Sequence, residues 1–592
     1  MQTYRAPLRD MRFVLNELLD VGTLSTLPGY EEATPDLIDA VIEEGARLCE
    51  NTLLPLNRPA DEEGCHYENG AVRTPRGYKD AYRRFVEAGW TGVTVAPDYG
   101  GQGLPELVSV VFDEMVCSTN LAFGVYPLLS KGAAALIGAH AADDLKETYL
   151  PRLADGSWSG TMCLTEPHCG TDLGQIRTRA TPIGDDRYAV TGTKIFISAG
   201  EHDLTENIVH LVLARLPDAP PGVRGISLFL VPKRKTAPDG GAGPANGVRC
   251  GSIEKKMGIH GSATCVMHFE EAEGYLIGAP HQGLRCMFTM MNGARLGVGL
   301  QGLGLGETAY QSAAAYARER RQGRALKGAA EPDAAADPIV VHPDVRRMLL
   351  NARALNEGAR ALAYWVALQL DISHRHPDAT VREDADELVQ LMTPIIKAFF
   401  TDYGFEATNL AVQVHGGHGY IREHGMEQLV RDARISQIYE GANGIQALDL
   451  VGRKLPRRAG RFLRHFFHPA IAFVEANRDD PALEDIVGPV GKALEKLQAA
   501  TLTVAQRGLG DPEEAGAAAS DYLRMFGLVA VGYMWCQMAR LAADKANGDA
   551  FYESKLKTAR FYVQKILPDT AGLFLKIMAG KSTVMAHGAE EF

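Results

Sequence analysis

The chain has 592 residues, 46% of them hydrophobic and 23% charged, with a formal charge of −12. This is ordinary globular usage and enough length for roughly four domain-sized units, which excludes a disordered chain, a collagen and a coiled-coil rod. The acidic balance disfavours a general nucleic-acid partner, because a net-negative surface repels the phosphate backbone.

The amino terminus lacks the apolar core of a secretory signal. The longest near-apolar run, Phe526 to Trp535, is far short of a spanning helix, so no integral membrane segment is expected. Nine cysteines, an odd number without a Cys-x-x-Cys pair, argue against a disulfide framework or a zinc knuckle. The expected compartment is the cytoplasm.

Residues 1–158 read as mainly helical. Thr34-Pro35-Asp36 starts a helix with a cap, a proline at the first position and an acid in the first turn. Tyr99-Gly100-Gly101-Gln102-Gly103 reads as a flexible break. Long apolar segments follow, Leu107 to Phe123 and Leu128 to His140. The pattern changes over 159–283. Tyr188 to Ile197, Ile208 to Leu213, Ile226 to Val231 and Ala263 to Phe269 are short, rich in strand formers and punctuated by turn residues, the pattern of a compact antiparallel β domain. Residues 238–247 read as a surface loop. Helical periodicity returns over 284–455, interrupted by an Ala/Pro/Asp-rich loop from Ala325 to Asp337. The basic stretch Arg453 to Arg464 reads as an anion site or, more commonly, a solvated linker. Residues 456–592 are helical again. The fold class is α+β, mainly α.

Four stretches carry candidate chemistry. Met162 to Asp172 opens the β block and offers hydroxyls and main-chain donors to a polar ligand, or is a strand-end loop. Gly297, Gly299 and Gly302 have dinucleotide-fingerprint spacing, but no strand precedes them, and close helix packing is the better account. Gln413-Val414-His415-Gly416-Gly417-His418 offers two histidines to a metal, or a glycine-rich turn to a phosphate. No third metal ligand is evident. Glu440 follows Ile435 and Ile438. It reads as a carboxylate base with a raised pKa in an apolar site, or as a helix-end surface residue.

Taken in order, these stretches resemble the acyl-CoA dehydrogenases. The resemblance rests on Tyr99 to Gly103, Thr165-Glu166-Pro167 with Gly170-Thr171-Asp172, Phe196-Ile197-Ser198, Arg320, Gln413 to Gly417 and Ile438-Tyr439-Glu440-Gly441. The extra residues at both ends resemble the long bacterial branch, and very-long-chain members carry a similarly placed tail.

The resemblance implies an acyl-CoA dehydrogenase-like fold. Its parts are an N-terminal helical domain, a central antiparallel β domain, a helical bundle with the catalytic base and an additional C-terminal helical domain. It implies bound FAD. Met162, Leu164, Thr165, Gly170 and Thr171 would line the flavin, with Phe196 over one face and Ile197 and Ser198 at the N5 edge. Arg320, Gln413, Gly416 and Gly417 would hold the pyrophosphate and adenosine across a dimer contact, with Gly441 and Asn443 near the adenine half. Thr171, Arg295 and Tyr439 would meet the acyl-CoA, and Gly124 would fall on the helix stretch that closes the acyl tunnel and leave room below it. Glu440 would remove the α-proton while the β-hydride passes to the flavin. An electron-transfer flavoprotein would take the electrons. The expected substrates are medium-to-long acyl-CoAs of fatty acid β-oxidation. The alternatives are 3-(methylthio)propanoyl-CoA as substrate, or an acyl-CoA oxidase using O2. A DNA-binding relative and a catalytically silent scaffold are weaker readings. The tail, too apolar from Tyr522 to Leu541 for a solvated helix, should dock onto the protein, which favours a homodimer over a tetramer.

Overall fold

The computed structural model describes residues 2–592. In chain order, α1 (Leu8–Arg12), α2 (Pro35–Leu48) and α3 (Leu54–Glu63) precede a hairpin of β1 (His66–Glu68) and β2 (Ala71–Arg73). Then come α4 (Tyr78–Glu87), α5 (Glu106–His140) and α6 (Asp143–Ala154). The strands that follow are β3 (Trp158–Cys163), β4 (Arg179–Gly184), β5 (Arg187–Ser198), β6 (Asn207–Arg215), β7 (Ile226–Pro232), β8 (Arg234–Thr236), β9 (Ala242–Ala245), β10 (Val248–Ile253) and β11 (Thr264–Ile277). The rest is helical: α7 (Gly283–Glu319), α8 (Pro343–Arg375), α9 (Ala379–His415), α10 (Met426–Arg434) and α11 (Asn443–Asp449). The tail adds α12 (Arg461–Asn477), α13 (Glu484–Gly510), α14 (Pro512–Ala543), α15 (Ala550–Lys565) and α16 (Asp569–Ala579). As its sequence suggests, α2 begins at Pro35, with the Thr34 hydroxyl accepting from the Leu37 N–H at 3.3 Å.

The chain divides into two compact units. The β unit contains Arg47–Leu104 and Thr119–Gly297. Its main sheet has the order β10-β11-β5-β4-β6-β3, and β7 pairs with both β11 and β6, so the sheet folds back on itself. It is antiparallel apart from β6, which runs parallel to β3 and touches β4 in parallel. Val190, Ile197, Val212, Phe229, Cys265 and Met267 are buried in its core, each worth about 1.5–3 kcal/mol for an aliphatic or aromatic side chain. Every residue of β6 up to Ala214 is buried, which explains its apolar run from Ile208 to Ala214, interrupted only by His210. Two expectations need correction here. Residues 238–247 are not all loop, because Ala242–Ala245 pairs with β8. Tyr99 to Gly103 is a bonded turn rather than a flexible break. Gly101, Gln102 and Gly103 donate to Ala96, Gly92 and Val95.

The helical unit contains the residues up to Ala46, Pro105–Ser118 and Val298–Phe592. The glycines of α7 serve close packing: a Cβ on Gly302 would lie 2.2 Å from the Phe400 carbonyl oxygen on α9. The tail docks through α14. That helix is buried on nearly all sides from Tyr522 to Met538, and the Trp535 indole N–H donates to the Ala354 carbonyl at 2.9 Å. Two arginines of the basic stretch before it, and the histidine that follows, are engaged by carboxylates of α9. Arg461 meets Asp384 at 2.6 Å, His465 meets Glu387 at 2.8 Å, and Arg458 meets Glu383 and Glu387. The loop from Ala325 to Asp337 is organised by its last residue. The buried Asp337 carboxylate accepts the N–H groups of Ala325, Ala330 and Glu331, which hold it well below the usual carboxylate range.

A buried charge network crosses this unit. Arg360, 1% exposed, reaches Asp10 and Glu114 at 2.6 Å and Glu307 at 3.1 Å. The Tyr364 hydroxyl donates to Glu114 at 2.7 Å. Lys555 of the tail, also 1% exposed, pairs with Asp10 and with Glu357 at 2.7 Å. Five elements, α1, α5, α7, α8 and α15, therefore share one set of charges.

One helix, α5, is long and apolar enough by composition to cross a membrane, but 61% of its apolar window is buried within the protein. Burial in the protein accounts for its apolarity. It stays helical through Gly124 and Pro127, where the proline ring leaves out one ladder bond, and it kinks at Asn120.

Candidate functional site

In the β unit, β3 ends at Cys163 and the chain turns through 164–172. A buried carboxylate straps this turn to its neighbours. Glu166 accepts from the Arg177 N–H at 2.7 Å, the Thr178 N–H at 3.0 Å, the Thr178 hydroxyl at 2.6 Å and the Lys194 ammonium at 2.9 Å. Lys194 also donates to the Leu164 carbonyl at 2.9 Å, and the Ile195 N–H donates to the Thr165 carbonyl at 2.9 Å. Burial pushes the Glu166 carboxyl up, but Lys194 and Thr178 outweigh it and leave it below the usual range. Met162, Leu164 and Thr165 are thereby held half-buried at the rim, with Gly170 and Thr171 exposed. Glu166, His168 and Cys169 come within reach of one another, but the Glu166 oxygens are already taken.

The strand bonded to this turn ends in an unusual way. Phe196 has φ 58° and is 59% exposed. Positive φ is disfavoured for a bulky residue, and strain of this kind clusters at functional sites. Ser198 is half-exposed beside it, whereas the Ile197 side chain lies in the sheet core, so any ligand contact by Ile197 comes from its backbone. Gly124 is buried in α5. Arg295 is buried in α7, its guanidinium 5.8 Å from the Phe288 ring centroid.

In the helical unit the loop after α10 carries Glu440. The Tyr439 hydroxyl donates to the Gln301 side chain on α7. Glu440 is half-buried with φ 55°, Gly441 has φ 87°, and Ile438 beside them is exposed. The Gln446 amide donates to the Glu440 carbonyl at 3.1 Å, and the Lys397 ammonium to the Gly441 carbonyl at 2.8 Å. The Asn443 side chain is engaged inward, with Lys397 at 2.8 Å and Asp402 at 2.7 Å. Elsewhere in this unit, Tyr316 stacks on His415 at 4.2 Å and bonds His418 at 2.9 Å. This brings the end of α7, with exposed Arg320, beside exposed Gln413, Gly416 and Gly417. The His415 ring also bonds the Ala411 carbonyl, so both histidines have internal partners.

Lys194, Gln301, Lys397 and Gln446 are absent from the sequence-based site. Both lysines left a signal, a lone cation inside an apolar stretch: Lys194 before Ile195-Phe196-Ile197 and Lys397 between Ile396 and Ala398-Phe399-Phe400. Replacing Lys194 by Met strands the buried Glu166 carboxylate, a change of about 3–5 kcal/mol when a buried pair is broken. Thermal unfolding should therefore show a clearly lowered midpoint for Lys194→Met. In the wild type the Glu166 contribution is complete above the ordinary carboxyl value of 4.5 and is lost as pH falls through the lower folded value.

Comparison with known proteins finds four domain descriptions in order along the chain. They are the acyl-CoA dehydrogenase N-terminal domain over residues 38–157, the middle domain over 161–272, the C-terminal domain over 281–455 and an acetyl-CoA dehydrogenase C-terminal-like domain over 466–587. The chain is 43% identical to the 3-methylmercaptopropionyl-CoA dehydrogenase of Ruegeria pomeroyi, across 95% of this chain and 96% of that protein. It is 33% identical to a butyryl-CoA dehydrogenase of Syntrophomonas wolfei, across 100% and 99%. Its fold matches the crystal structure of Caenorhabditis elegans ACDH-11 in complex with C11-CoA, with a TM-score of 0.79 at 18% identity, covering 99% and 96%.

Proposed function

The chain belongs to the acyl-CoA dehydrogenase family, and from that premise we propose that it desaturates a short acyl-CoA thioester between Cα and Cβ, with Glu440 as the base. Members of this family are FAD-dependent oxidoreductases acting on CH–CH bonds. The residues of each unit fit that cofactor. In the β unit, exposed Phe196 offers an apolar face to an aromatic ring, and the Thr165 and Ser198 hydroxyls stand at the same strand ends. In the helical unit, Arg320 offers a cation, and Cβ atoms added to Gly416 or Gly417 would meet nothing within 4 Å, so a phosphate can approach the backbone. When bound, FAD accepts the hydride that leaves the β carbon.

Glu440 takes the α-proton onto a carboxylate oxygen as that hydride departs, and the product is the trans-2-enoyl thioester. The carboxylate stands on a turn braced by Lys397 and Gln446. Such bracing favours a single productive orientation of the base. Exposed Ile438 gives it an apolar neighbour that withholds water once a substrate covers the site.

The substrate reading rests on the 43% identity to a 3-methylmercaptopropionyl-CoA dehydrogenase. It favours 3-(methylthio)propanoyl-CoA, or an acyl chain of that size, over medium-to-long chains. Anaerobic flavin bleaching with 3-(methylthio)propanoyl-, butyryl-, octanoyl- and palmitoyl-CoA tests it. The short substrates are expected to bleach fastest, and bleaching by palmitoyl-CoA alone would overturn the reading. Reoxidation by an electron-transfer flavoprotein is part of the same proposal. Turnover with O2 alone as fast as with an artificial acceptor would reassign the protein as an oxidase.

A further inference from the structure

Glu440 and Gly441 are consecutive left-handed residues, and the first carries a long side chain that disfavours that conformation. The carbonyls of both are restrained from within the protein. Gln446 holds the first, and a Cβ on Gly441 would lie 2.5 Å from the same Gln446 amide. Lys397 holds the second. It lies on α9 among Ile395, Ile396 and Phe400, is 0% exposed, and also donates to the Asn443 side chain at 2.8 Å. An aliphatic side chain would serve packing at that depth without the penalty of a buried ammonium. Two hydrogen bonds of this charge run to the turn that presents Glu440 and to the residue that closes it.

We infer that Lys397 is a positioning residue for Glu440: it touches the backbone of the turn, not the substrate, and sets the direction in which the carboxylate leaves it. The inference rests on Glu440 being the base. Without the ammonium the Gly441 carbonyl is left with the long 3.4 Å bond from the Gln446 amide, the two left-handed residues relax, and the carboxylate samples orientations that do not reach the α-proton.

The test compares FAD-loaded wild type with Lys397→Met, which keeps an unbranched side chain one atom shorter and removes the charge and the donors. Hydrogen exchange by mass spectrometry reads the turn directly. Exchange over residues 438–446 should rise at least ~10-fold in the variant, with the β unit unchanged. Flavin reduction should slow ~10- to 100-fold at unchanged KM for acyl-CoA, the scale of a displaced reacting group. A variant with a lower melting temperature but wild-type exchange over 438–446 and wild-type reduction overturns the inference. Should Lys397→Met not fold, Lys397→Gln replaces it. Its shorter amide reaches one acceptor and not both, so intermediate exchange and rate are expected, and wild-type values would again overturn the inference. Glu440→Gln, measured in parallel, separates the two claims. Normal bleaching in that variant removes Glu440 as base, whereas the exchange data report on Lys397 regardless.

Discussion

Glu440→Gln is expected to bind FAD and acyl-CoA as the wild type does, yet to reduce its flavin at least ~10²-fold more slowly, the low end for losing a positioned base. The substitution keeps size and hydrogen-bonding capacity and removes only basicity. The backbone brace does not depend on the side chain, because Lys397 and Gln446 hold carbonyl oxygens. Stopped-flow reduction under anaerobic conditions measures the effect. A near-wild-type rate would leave the chain without an identified base.

Arg360→Met should cost about 3–5 kcal/mol of stability at pH 7, the scale for removing one partner of a buried ion pair. Arg360 is the only cation recorded against Glu114 and Glu307 among the described residues, whereas Asp10 keeps Lys555. Burial already pushes the Glu114 carboxyl upward with Arg360 present. Removing the guanidinium raises it further. A folded-state pKa above the unfolded value means that the folded chain takes up a proton as pH falls, so the deficit should shrink from pH 7 toward pH 5. Denaturant unfolding at the two pH values checks both the size and the sign. An equal deficit at both would mean that Glu114 does not respond to the loss.

The strands were legible where composition and length agreed, as in Tyr188 to Ile197 and Ile226 to Val231. The long α5 was legible only as two apolar segments either side of 124–127, whereas the chain stays helical through Gly124 and Pro127 and kinks at Asn120. The turn residues of 242–245 hid a strand that exists because β8 lies opposite. The parallel pairing of β3 with β6 leaves no local trace, since each strand carries the same pattern in either direction. At the candidate site, the proposal of Glu440 as base comes from its motif and its order relative to the Thr165 and Gln413 stretches. Lys397 was not legible, because its role is defined by a carbonyl 44 residues away. Glu166 lies in a recognised motif, but only the structure shows that its side chain faces inward to Lys194 rather than outward to a ligand.

The pairing of Asp10 with Lys555 sets a timetable for synthesis. At about 5–20 residues per second, the aspartate leaves the ribosome roughly half a minute to two minutes before its lysine does. Through that interval an amino-terminal carboxylate that the finished protein buries has only Arg360 to answer it, and only once α8 has emerged. The β unit, whose last residue is Gly297, is complete long before. A nascent chain stalled before α15 therefore carries a finished sheet and an unclosed helical half, the state in which a chaperone or a protease would find it.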